Sequence, residues 1–310
     1  MNDVEVLIIS NKFDFTTDYV CIELEKRKVK YLRLNRDRFR SCKIEFNINL
    51  GELLINVNKK KYIINKGLRS VYYRAPTYFR ETFSKYFSAE DQLYNSQWMS
   101  FIRNLTFFED AKWMNNPVDT YKAENKLLQL KYAKEVGLRI PNTLVTNNNS
   151  FKFDNPTVAA KSLDTALFKI NDKEAFFYTN IMTVEDVKSY DIGLFPVVIQ
   201  DNLDPKVDYR VTIAGNKMYS AVISEYGKGV SGDWRRRKNT LKFIDCDLPD
   251  QTMKKCFKLL KRLRLNFGGI DLVEHDNDFI FIEVNPTGEW AWLVDSANQK
   301  IYEGICDFLS

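Results

Sequence analysis

Histidine is nearly missing from this chain: 310 residues contain one, His275, within the turn-like stretch Glu274–Asp278. Any Ser-His-Asp or Cys-His mechanism would rest on that residue alone, and a histidine-rich metal site is excluded. The five cysteines, Cys21, Cys42, Cys246, Cys256 and Cys306, are odd in number, scattered and without a CxxC pair. This argues against a disulfide framework or a zinc site and suits a reducing compartment. No stretch approaches the roughly 20 apolar residues of a membrane span. The start, MNDVEVLIISN, runs into an apolar strand pattern without the basic opening of a signal peptide. A cytoplasmic protein is expected. Glycine is scarce where nucleotide folds often use it: Ser10–Asp14, after the first strand pattern, has none, so no dinucleotide fingerprint stands there. A large excess of one charge is also lacking. Forty-six basic against 41 acidic side chains leave +5, mostly alternating in sign, whereas nucleic-acid binders concentrate Lys and Arg on one face. The densest basic run, Arg235–Lys238, has a solvated loop as its plain reading.

What is present is a chain 45% hydrophobic, ample for two or three lobes. Val4–Ser10, a helical pattern over Asp18–Lys28 and a strand over Val29–Leu34 suggest a parallel α/β unit. Leu53–Val57 and Tyr62–Ile64 read as a hairpin, Val71–Arg74 as a short strand and Glu90–Leu105 as a helix. A break at Trp113–Pro117 marks a lobe boundary. Tyr121–Val136 reads as one amphipathic helix ended by Gly137. Beyond it lie strands over Leu144–Thr146, Thr157–Lys161 and Phe195–Gln200. The remainder is mostly β, over Tyr209–Ile213, Lys217–Ile223 and Leu241–Ile244, with a helix over Gln251–Leu263 and two further strands, Gly269–Val273 and Phe279–Val284. The chain closes with Trp290–Leu293 and a helix near Lys300–Leu309.

The stretch GGIDLVEHDNDFIFIEVNPTGEW, Gly268–Trp290, carries the strongest chemical signal. Glu283 and Asn285 lie two apart and leave the same face of one strand, and Asp271 can lie across from them on its hairpin partner. Three oxygen donors on one sheet face suit Mg²⁺, which also takes waters and phosphate oxygens. The plain alternative is an amphipathic hairpin whose acids point to water.

This hairpin resembles the metal-binding element of the ATP-grasp superfamily, in which such Asp, Glu and Asn residues hold the Mg²⁺ that bridges ATP phosphates. Upstream stretches match in order. Ala123–Thr146 looks like the opening of the central lobe, with Lys126 at a phosphate-binding position, and TVAAKSL places Lys161 at a second. FPVVIQDNL is similar to the adenine-reading linker, implicating Gln200, Asp201 and Leu203, and Asp208-Tyr209-Arg210 looks like the D-x-R strand. VYYRAP (Val71–Pro76), WMNNP (Trp113–Pro117), Gly232-Asp233-Trp234-Arg235 and NPTGEWAWL (Asn285–Leu293) resemble the graspetide, or microviridin-type, peptide-macrocyclising ligases over most of the chain. One departure stands out: Ser162–Leu194 contains only Gly193, where many relatives have a glycine-rich loop over the phosphates.

The resemblance implies an α/β ATP-grasp fold with a parallel α/β domain over 1–117, a central lobe over 118–198 and a C-terminal lobe over 199–310, ATP lying between the last two. It implies an ADP-forming carboxylate ligase using ATP and Mg²⁺. The enzyme would phosphorylate Asp or Glu side chains of a ribosomally made precursor peptide, and Thr, Ser or Lys side chains would close ω-ester or ω-amide rings. Asp271, Glu283 and Asn285 are the implied metal ligands. Lys126, Lys161, Gln200, Asp201, Leu203 and Asp208 are the ATP residues, and Arg210 and Arg235 are candidates for holding the transferring phosphoryl or the substrate carboxylate. The precursor peptide, with leader and acidic core, is the expected partner; a second copy of the chain is a candidate, and nucleic acid and membrane are not expected. An amino-acid ligase like the ribosomal-protein glutamate ligases is the alternative of the same fold; a non-catalytic binder with a degenerate nucleotide fold and a kinase whose phosphoryl stops on the acceptor are alternatives of other functional classes.

Overall fold

A computed structural model of the chain describes residues 1–75, 88–163, 167–170, 173–176, 179–190, 192–237 and 240–310. The first lobe is built on a four-stranded parallel sheet in the order Tyr31–Asn35, Val6–Ser10, Ser70–Tyr73, Lys112–Met114. Val6–Ser10 is buried throughout, as an unbroken apolar run requires when both faces of a parallel strand are covered. Asp14 caps the helix Phe15–Lys26 by accepting from the Thr17 amide. A mixed sheet flanks this unit: the expected hairpin, observed as Glu52–Val57 with Lys60–Ile64, gains Lys43–Asn47 as an antiparallel outer strand and Asn2–Asp3 as a parallel one. Pro76, the last residue of VYYRAP, lies outside the described residues.

A second sheet runs Asn180–Thr183, Thr157–Lys161, Val197–Asp201, Thr143–Thr146, all antiparallel. It closes a small core of Phe151, Val158, Ala160, Val184, Val187 and Ile199. The third sheet has five antiparallel strands in the order Leu241–Asp245, Lys217–Glu225, Val207–Ala214, Phe267–His275, Asp278–Asn285. One face buries Val211, Ile213, Ile270, Leu272, Phe281 and Val284 against the helix Asp250–Leu263. The alternate residues Asp208, Arg210 and Asp271 leave the other face.

The expected single helix over Tyr121–Val136 is two, Pro117–Ala123 and Lys126–Glu135. Asn125 divides them: its side chain accepts from the Leu128 amide at 3.1 Å and caps a new helix. This is the competition by which Asn favours caps over helix interiors. Leu130, Ala133 and Leu138 join the third sheet's core. Gln129 pairs with the outer strand as a backbone would. Its Nε2 donates to the Val284 carbonyl at 2.8 Å and its Oε1 accepts from the Val284 amide at 2.9 Å. The helix thereby covers a sheet edge that would otherwise present unpaired groups.

Candidate active site

The second and third sheets face each other across a cleft open to solvent. Ala159, Ile181, Leu203, Val273 and Ile282 give it an apolar wall, while Lys161, Lys206, Asp208, Asp233, Arg235 and Asp271 line its polar part. Five of the six residues expected to serve ATP, namely Lys161, Gln200, Asp201, Leu203 and Asp208, line this cleft together. Gln200 donates to Thr143 Oγ1 at 3.0 Å, and Asp201 accepts from the Asn142 amide at 3.2 Å and from Asn155 Nδ2 at 2.6 Å. These side chains are occupied in holding the strand. Asp208 is paired with Lys206.

The sixth, Lys126, opens its helix and stands 3.6 Å from Glu283 Oε2. Arg235 Nη1 lies 3.4 Å from Glu283 Oε1, and Arg235 Nε donates to Asp233 Oδ1 at 2.9 Å. Arg235 thus lines the cleft while its side chain stays 42% exposed; Lys238 lies outside the described residues. Arg210 faces Asp271 in the strand ladder and donates to its Oδ1 at 2.8 Å.

Asp271 and Glu283 are directly opposite in the hairpin register, and the Asn285 side chain favours the charged form of Glu283. A β-bulge follows: Leu272 pairs with Phe281, so Ile282 is extra. The bulge lets Phe281 and Val284, three apart, both reach the core while Ile282 enters the cleft. Burial pushes the Asp271 carboxyl up; Arg210 opposes this and the Glu283 charge adds to it. Burial would also push Glu283 up, but Lys126, Arg235 and Lys161 hold it well below the carboxylate range. Burial depresses the Lys161 ammonium to about 8, against the pull of Glu283 and with the repulsion of Lys126.

The donor set fits Mg²⁺. Two facing carboxylates and an amide oxygen are hard ligands, and a cation between like charges relieves their repulsion. Among the described residues no three His, Cys, Asp or Glu side chains cluster closely enough to hold a metal, so the third protein ligand would be the Asn285 amide. His275 sits at a strand end, its Nδ1 2.8 Å from the Pro205 carbonyl.

Sequence reasoning passed over several residues. Gln129, on the helix that Lys126 opens, clamps the strand carrying Glu283 and so aims Lys126 at it; Asp233 orients Arg235, and Lys206 pairs with Asp208. Asn115 accepts from the Asn266 and Phe267 amides and donates to the Phe267 and Pro286 carbonyls, all within 2.7–2.9 Å. The Asn in WMNNP was the available signal for the last. The glycine-poor segment contains a hairpin, Leu167–Ile170 with Lys173–Phe176, between the cleft residues Lys161 and Thr179.

No family model and no curated protein matches the sequence. Solved structures do. The macrocyclase MdnC of Microcystis aeruginosa, bound with the precursor peptide MdnA, superposes with a TM-score of 0.83 at 23% identity, over 98% of each chain. A RiPP-associated ATP-grasp ligase of Chryseobacterium gregarium, in complex with ADP and a leader and core peptide, gives 0.80 at 25% identity, over 100% of this chain and 96% of that one. The ATP-grasp ligase PsnB, complexed with a minimal-precursor variant, Mg and ADP, gives 0.78 at 16% identity, over 100% and 98%. The fold is thus that of the ATP-grasp ligases. Within that class the full-length likeness at 25% identity to the RiPP-associated ligase bears out the resemblance to graspetide-type ATP-grasp ligases.

Proposed function

We propose that the chain is an ATP-dependent ligase that activates Asp or Glu side chains of a ribosomally made precursor peptide and joins them to Thr, Ser or Lys side chains as rings. The observation that carries this is the cation–carboxylate cluster beside an apolar slot. Lys126 and Arg235 flank Glu283, Arg210 flanks Asp271, and Lys161 enters a cleft whose apolar wall suits a planar base. The full-length likeness at 25% identity to a peptide-bound ligase holding ADP supports it.

A carboxylate resists nucleophiles because of its charge and poor leaving group. Transfer of the γ-phosphoryl of ATP makes an acyl phosphate and ADP; attack by a hydroxyl or amine then expels inorganic phosphate and releases one proton. Asp271, Glu283 and Asn285 are the residues that would hold Mg²⁺, which would supply positive charge to offset that of the phosphates. Lys126 and Lys161 bring positive charge to the polyphosphate. Arg210 and Arg235 present planar forks suited to a carboxylate or a phosphoryl group. Cytoplasmic residence and self-association belong to the same proposal. Among the described residues no helix is long and apolar enough to cross a membrane.

Mass spectrometry tests the reading. The enzyme is co-expressed with each short peptide encoded beside its gene that carries Thr/Ser and Asp/Glu near its C-terminus. Each ring removes one water, a loss of about 18 Da, and mild base hydrolyses esters while sparing amides. A gain equal to an amino acid would favour the amino-acid ligase. A phosphoryl gain would favour the kinase, and an unchanged mass with every such peptide would refute the proposal.

A further inference from the structure

VYYRAP and NPTGEWAWL, stretches far apart in sequence, meet in the structure at a single buried side chain. Arg74 ends a strand of the first lobe with its side chain 4% exposed. Its Nη1 donates to the Thr287 carbonyl at 2.9 Å and the Gly288 carbonyl at 3.4 Å, and its Nη2 to Glu289 Oε1 at 2.9 Å. Its Nε donates to Asp14 Oδ2 at 3.2 Å. Asp14 is itself fixed: the Ser10 and Thr17 hydroxyls donate to it at 2.7 Å, and the Thr17 amide at 3.2 Å. Thr16 holds the other Glu289 oxygen.

Arg210 reaches the same turn. Its Nη2 donates to the Glu289 carbonyl at 3.3 Å. Gly288 lies so close that a Cβ there would be 2.5 Å from that nitrogen. Asn285, one of the three oxygen donors, begins this turn, and the Gly288 amide donates to its carbonyl at 3.2 Å. The loop is therefore held between two arginines, one from the first lobe and one from the reaction centre.

We propose that Arg74 is a positioning residue: it sets the loop 287–289, and through it the Arg210 guanidinium, for phosphoryl transfer. The inference rests on the ligase reading above. A buried ion pair is weak evidence for stability, and a tie between lobes needs only apolar contact. The planar fork with every nitrogen engaged, two of them on one turn, instead matches a demand for geometry. ATP itself lies, on this reading, between the other two lobes and does not touch Arg74.

The test needs no peptide. ADP with aluminium fluoride mimics the transferring phosphoryl, and its affinity relative to ADP alone, with Mg²⁺ present, reports whether Arg210 is in place. The wild-type chain is expected to gain at least tenfold. Arg74→Lys and Arg74→Met are expected to lose that gain while ADP affinity stays within about threefold, since a correctly placed donor is worth roughly a hundredfold and ADP binding does not use it. Glu289→Ala guards against misfolding of the buried variants, because this side chain is 67% exposed; it is expected to lose part of the gain with an unchanged melting temperature. Retention of the full gain in all three variants overturns the positioning role alone, as does an equal fall in ADP affinity. No gain in the wild-type chain overturns the ligase reading together with it.

Discussion

Arg210 and Gly269 share a space that holds only one side chain. A Cβ at Gly269 would stand 2.3 Å from Arg210 Nη2 and 2.5 Å from its Cζ, so the glycine is the groove through which the guanidinium reaches Asp271. Gly269 lies inside a strand, where a missing side chain costs stability and usually marks a close approach.

Gly269→Ala is therefore expected to displace the guanidinium. Peptide-dependent phosphate release should fall about 100-fold, the scale for losing one placed charge donor, with ATP affinity within about threefold. Steady-state phosphate release and calorimetric titration read both. Normal turnover would mean that Arg210 is not used where it stands.

Glu283→Gln keeps the shape of the side chain and removes the charge that Lys126 and Arg235 face. We expect ATP turnover to fall at least 100-fold, with circular dichroism unchanged. Mn²⁺ bound with ADP, counted by paramagnetic resonance, should weaken in Glu283→Gln, Asp271→Asn and Asn285→Ala alike. Unaltered Mn²⁺ binding in all three would remove the metal assignment.

The Lys161 ammonium, depressed to about 8 by burial, makes ATP binding pH-dependent. Polyphosphate favours the charged form and raises its pKa, so ATP should bind with proton uptake above pH 8 and affinity should fall as pH rises through that value. Calorimetry in buffers of different ionisation enthalpy measures the uptake, which Lys161→Met should abolish. Stability runs the other way. The free side chain titrates near 10.5, so the folded state pays for the proton fully below about 8 and not at all above 10.5. Lys161→Met should melt higher than the wild type at pH 7, with the gain vanishing at strongly alkaline pH.

Gln129→Leu removes both bonds to Val284 and leaves its amide and carbonyl buried without partners. A loss of about 2 kcal/mol on chemical denaturation is expected. Because this clamp aims Lys126, ATP affinity should drop by about the same factor as in Lys126→Ala. A stability loss without an affinity loss would show that Lys126 finds Glu283 unaided.

Much of this architecture is written locally in the chain. The buried run Val6–Ser10, the alternation along Val207–Ala214 and the placement of Glu283 and Asn285 two apart follow from the periods of strand and side chain, so Asp271, Glu283 and Asn285 were legible as one face. The Asn125 cap was also written locally, within a helical pattern that masked it. What sequence periodicity does not contain is the partner across space. The bulge at Ile282 exists because Phe281 and Val284 must both enter the core, which only the packed helices impose. Gly269 and Gly288 have meaning only once Arg210 passes between them. Arg74 reads as one more polar residue after a strand until the fold brings it to a loop more than 200 residues away, because burying its charge demands partners that only tertiary structure supplies.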